Sequence, residues 1–63
     1  MKELDVVRLK ANYKDIAAGT LGTIVLEYDG NYFEVEFVDT EGDTLDVLTT
    51  PVNILELVST YNY

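Results

Sequence analysis

With neither His nor Cys among its 63 residues, this chain has only carboxylates, Lys, Arg, Tyr and hydroxyls for chemistry. Catalysis needs a nucleophile beside a base, or two carboxylates held at different pKa values. The most regular carboxylates are Glu34 and Glu36, separated by Val35. On a strand they share a face and stand roughly 6 to 7 Å apart. A glycosidase-like pair has comparable spacing, but its reaction needs a deep pocket, for which a domain this short has little volume. The reading is therefore a solvated strand face with no catalytic residue, and so not an enzyme. Asp39, Glu41 and Asp43 alternate around Gly42 and faintly suggest an oxygen-ligand loop. The Gly at position six and the bidentate Glu at position twelve of an EF-hand are both missing. Structural zinc lacks its usual ligands. No metal and no cofactor are expected.

Tyrosine is the other residue type that stands out. Tyr13 sits in a long first loop, Tyr28 and Tyr32 flank a hairpin tip, and Tyr61 and Tyr63 end the chain. Tyrosine combines large contact area with a polar tip and is enriched at interfaces. Tyr13 with Glu34 and Glu36 could meet a basic or Pro-rich segment, although no Trp is present to line a Pro-rich groove. Alternatively, Tyr28 and Tyr32 plug the end of a small barrel. With Glu27 added to the wet face, the expected partner-binding residues are Tyr13, Glu27, Tyr28, Tyr32, Glu34 and Glu36.

Twelve acids against four bases give a net charge of −8. Phosphate backbones are bound through Lys and Arg, so this balance opposes nucleic acid and anionic membrane. It serves solubility, and it would also steer a basic protein partner. The opening Met-Lys-Glu-Leu-Asp has no apolar core of a signal peptide, and no apolar run approaches the roughly 20 residues of a membrane span. The expected location is the cytoplasm. One domain, residues 1–63, is all this length allows, and only about 60% of the unfolded surface is buried at this size. The thin margin makes homo-oligomerisation, for instance by pairing a fifth strand's edge, a further reading.

The elements that must position these residues are short strands. Leu4 to Leu9 is rich in β-branched residues, with Val7 and Leu9 on one face and Val6 marking a bend. Ala11 to Thr20 is a polar loop, with room for one helical turn capped by Asp15. In Leu21 to Tyr28, alternation puts Ile24, Leu26 and Tyr28 on one face and Thr23, Val25 and Glu27 on the other, with Gly22 at a bulge or close approach. Asp29-Gly30 is a hairpin signal. Tyr32 to Val38 alternates cleanly, Phe33, Val35 and Phe37 inward and Glu34 and Glu36 outward. Asp39 to Asp43 is a second turn, with Gly42 free to take positive φ. In Thr44 to Thr50 alternation points Leu45 and Val47 inward, and Leu48 breaks the pattern. Pro51 ends that strand, one 3₁₀ turn follows, and Ile54 to Ser59 places Leu55 and Leu57 together. These elements predict an all-β fold, a small five-stranded SH3-like barrel.

The segments Leu4 to Leu9, Gly19 to Val25, Tyr32 to Phe37 and Leu55 to Val58 resemble, in that order, the small bacterial SH3-like barrels, and most closely domain-of-unknown-function family 4926. The resemblance spans nearly the whole chain and carries over a fold and no catalytic residue. It also implies an antitoxin- or immunity-type role. Gly19 to Val25 is similar to the glycine-centred turn of KOW-type domains and of the SH3-like domain of the nitrile hydratase β-subunit. The RNA-binding members of the KOW group carry basic loops, where this chain has an acidic strand face. The expected function is a small acidic protein-binding module acting on a basic partner protein. A KOW-like nucleic-acid- or ribosome-associated domain is the alternative.

Overall fold

The computed structural model describes residues 1–60. Five strands form it: β1 (Val6–Leu9), β2 (Leu21–Glu27), β3 (Tyr32–Val38), β4 (Thr44–Pro51) and β5 (Leu55–Ser59), with one 3₁₀ turn, Val52–Ile54, between the last two. All pairings are antiparallel, in a single sheet of order β4-β3-β2-β1-β5. The sheet is not closed, since β4 and β5 are its two edges. No helix among the described residues is long and apolar enough to cross a membrane.

The core lies on one face. Val7, Leu9, Ile24, Phe33, Val35, Phe37 and Leu55 are buried there, joined by Ile16 from the first loop. Each such side chain taken from water stabilises the fold by about 1.5–3 kcal/mol. Ile16 is a plug from a loop that otherwise reads as polar. The capped helical turn expected at Asp15 does not form. Tyr13 and Ile16 exchange backbone hydrogen bonds of 2.9 Å instead, and Lys14 takes a left-handed φ of 52° between them. That short bridge turns Ile16 inward, which a helical turn would not guarantee.

Irregular pairings redistribute the faces from strict alternation. The register shifts between Ile24 and Leu26, leaving Val25 as a bulge. Beyond it, Leu26 stands opposite Glu34, and Glu27 opposite Phe33. Directly opposed residues share a face, so Leu26, expected inward, is outward and 43% exposed, while Glu27 has left the Glu34/Glu36 face. The parity of β4 is likewise reversed. Leu48 opposes Val35 and Thr50 opposes Phe33, so these two point inward, and Leu45 and Val47 stand 50% and 45% exposed. In β5, Leu55 is buried, but Leu57, at the sheet's edge, is 46% exposed. Strand β1 begins at Val6 rather than Leu4, and its pairing with β5 shifts between Val6 and Val7, at the expected bend.

Asp5 is buried beside this core, a position that alternation gives no hint of. Its carboxylate accepts from the Lys2 backbone N–H at 3.0 Å and from Lys2 Nζ at 2.9 Å. Its backbone carbonyl accepts from Ile24 N–H at 3.0 Å. The charge is tolerated because it is hydrogen-bonded and paired.

Gly22 has no room for a side chain. A Cβ there would lie 2.6 Å from Val35 Cγ1 and 3.0 Å from both the Glu36 carbonyl and Phe37 Cδ1. Gly22→Ala should therefore destabilise the domain by about 1–3 kcal/mol; urea unfolding of the two proteins measures it, and equal midpoints would refute the close approach. Asp5→Ala strands the Lys2 donors and should cost about 1.5–3 kcal/mol in the same assay.

Candidate protein-binding face

The outward face of β2, β3 and β4 is where the chemistry-bearing side chains collect. Glu34 and Glu36 project from β3 as expected, and register places hydroxyls beside them. Thr49, directly opposite Glu34, donates its Oγ1–H to Glu34 Oε1 at 2.7 Å. Thr44 donates likewise to Glu36 Oε2. Among the described residues, neither carboxylate has a cationic partner. The ion pairs among the described residues are Lys2–Asp5 and Arg8–Glu56, the latter at 3.1 Å with both side chains about half exposed. An exposed pair of that kind contributes little stability. It does neutralise the β1–β5 side of the sheet and leaves the negative charge on the β3–β4 side.

All three tyrosines among the described residues, Tyr13, Tyr28 and Tyr32, are expected at a binding face, with Tyr28 and Tyr32 alternatively plugging a barrel end. Tyr28 is outward because the Val25 bulge inverts the alternation ahead of it, and its hydroxyl reaches Glu34 Oε2 at 3.4 Å. Tyr13 approaches from the first loop, half buried against the core, and donates to the Thr49 carbonyl at 2.8 Å. Tyr13, Tyr28 and Glu34 thus converge around Thr49. Tyr32, opposite Pro51 on β4, pairs with Tyr28 across the hairpin and shares the outward parity of Glu34. Both hairpin tyrosines are about half exposed, so they do not plug an end. Glu27 lies on the opposite side, its carboxylate near Gly30 at the hairpin tip. Tyr61 and Tyr63 lie outside the described residues.

The hairpin that carries Tyr28 and Tyr32 is fixed by its turn residues. Asp29 Oδ1 accepts from the Asn31 and Tyr32 backbone N–H groups at 2.9 and 3.2 Å, while Gly30 supplies a φ of 85°. This is the side chain's usual role in such turns. Asp39 does the same for the second turn, accepting from Glu41 and Asp43 N–H at 2.9 and 3.0 Å. The carboxylates of Asp39, Glu41 and Asp43 come within 4.8 Å of one another, on the exposed end of the β3–β4 hairpin.

The sequence reading missed Thr49 because β4's parity was inverted; correct register alone would have set Thr49 against Glu34. It missed Thr44 as well. Also missed were the uncovered aliphatics of this face, Leu21, Leu26, Leu45 and Val47. Aliphatic groups between carboxylates give an amphipathic surface suited to lysine or arginine stems and their charged heads. A shallow opening of about 470 Å³ lies at Leu21, Val38 and Leu45.

The two tyrosine bonds differ in quality, and mutation should show it. Tyr13→Phe removes a short bond made by a residue packed against the core and should cost about 1 kcal/mol. Tyr28→Phe removes a long, exposed one and should stay within about 0.5 kcal/mol of wild type. Thermal unfolding of both variants decides, and a reversed order would contradict the geometry.

In comparisons with known proteins, the family model described as Domain of unknown function (DUF4926) matches residues 3–57. No curated protein and no solved structure matches the chain.

Proposed function

The chain belongs to the DUF4926 family, and from that premise we propose that it is a small, non-catalytic protein-binding module of the cytoplasm. Its five-stranded sheet curls as an SH3-like barrel, and it works as an antitoxin, immunity-type or regulatory protein on a basic partner. The curl is supported by packing. One sheet with no second layer still buries Val7, Ile24, Val35 and Phe37 completely, which requires the sheet to bend around its own core. The 3₁₀ turn between β4 and β5 supplies Val52 and Ile54 to the same core.

One observation carries the binding reading. Glu34 and Glu36 each accept a threonine hydroxyl and, among the described residues, pair with no cation, on a face that also exposes Leu26 and Val47. Carboxylates ordered in this way keep their charge available to a partner and have less rotamer freedom to lose on binding. Long-range attraction from a net charge of −8 would speed encounter with a basic surface. The KOW-like alternative is weaker, because two of the four basic side chains are engaged with carboxylates and none stands on the β3–β4 face.

Glu34→Lys/Glu36→Lys tests the reading. The tagged protein should retain a partner from native lysate at low salt, and the double variant should not. Retention should fall as salt rises toward about 1 M, where the screening length is about 3 Å. Equal capture by both proteins, or a gel shift with RNA at low ionic strength, would overturn it.

A further inference from the structure

The outward face ends in a groove that the Glu34/Glu36 site does not use. Leu21 and Val38 oppose one another across β2 and β3. Leu45 stands beside them because the β3–β4 register shifts after Phe37 and sets Thr44, not Leu45, opposite Val38. Ala18 and Thr40 complete the walls of a shallow, mainly apolar opening of about 470 Å³. Leu21 and Leu45 are 41% and 50% exposed, so the floor is uncovered. Asp39 lines the same groove, and it is one of the three carboxylates gathered within 4.8 Å at that end of the hairpin. Among the described residues, no Lys or Arg forms an ion pair with that group.

Apolar floor and anionic rim together define an occupant. We propose that the groove takes a partner segment in which one aliphatic or aromatic side chain is flanked by Lys or Arg. The anchor lies against Leu21, Val38 and Leu45, and the flanking cation lies at the Asp39–Asp43 turn. The proposal rests on the reading of this chain as a module for basic proteins, and it names where and through what chemistry the contact is made. A second copy of this chain fits poorly, because it would bring another net charge of −8 against the same carboxylates.

Three blocked pentapeptides serve as probes in an amide chemical-shift titration of the folded protein: Lys-Arg-Leu-Lys-Arg, Lys-Arg-Gly-Lys-Arg and Gln-Gln-Leu-Gln-Gln. The first should move the amides of Leu21, Val38, Leu45 and the turn after Asp39, and bind about tenfold tighter than either other, the ratio that 1.4 kcal/mol of combined contact gives. Leu45→Asp sits at an exposed position and should leave the sheet spectrum intact. It should weaken the first peptide about tenfold even though it adds negative charge. Glu41→Gln/Asp43→Asn should remove the advantage over the uncharged peptide. Equal binding of the leucine and glycine peptides, shifts centred on Glu34 and Glu36, no shift at all, or dimerisation that Leu45→Asp abolishes in sedimentation would each overturn the groove. Shifts at Glu34 and Glu36 would leave the broader reading standing. A groove that titrates as described while Glu34→Lys/Glu36→Lys still captures its partner would defeat the Glu34/Glu36 reading alone.

Discussion

A single sheet has two faces, and a chain of this length can keep only one of them dry. The dry face of this sheet is covered in part by one loop residue, Ile16, and by the 3₁₀ turn at Val52–Ile54. The requirement of one dry face places glycine at position 22, where the side chains of Val35 and Phe37 and the Glu36 carbonyl leave no space for a methyl group. It accounts for the irregular pairings as well, because bulges increase local twist and bend a strand. Such irregularities interrupt three of the four strand pairings.

How far the fold could be read from the sequence follows from the same constraint. Where a strand runs unbroken through the core, as β3 does, alternation assigned every side chain correctly, because burial alone decides the face. Both turns were legible, since Asp29-Gly30 and Asp39 to Gly42 announce themselves by residue type. The bulge at Val25 was not, because nothing in Ile24-Val25-Leu26 marks which aliphatic is the extra one. Strand β4 failed for a related reason. Leu45, Val47 and Leu48 offer two parities, and the hydroxyl of Thr50 hid its place in the core, where it donates to the Leu48 carbonyl at 3.0 Å. Asp5 could not have been found by pattern at all, since its burial depends on a partner three residues away.

The candidate site was legible in part. Glu34, Tyr28 and Tyr13 come together around Thr49, with Glu36 and Tyr32 on the outward parity of the same strand, while Glu27 lies on the other side. What the sequence concealed was the apolar half of the surface. Leucines and valines assigned to the interior turned out to stand among the carboxylates, which changes the outer face from a merely wet surface to an amphipathic one. Charge alone would attract any cation; aliphatic ground between the charges discriminates by shape and by the length of the side chain laid across it.

The extra residue at Val25 has a wider consequence. Every side chain of β2 beyond it owes its facing to a count of residues and not to its own character: Leu26 lies outside and Glu27 on the side of Phe33 only because one more amino acid precedes them. Loss of a single residue there would turn Leu26 toward the core and Glu27 toward the outer face, while β3 kept its own facing. Relatives of this chain with similar makeup but one residue fewer in that stretch would show the solvent a different molecule.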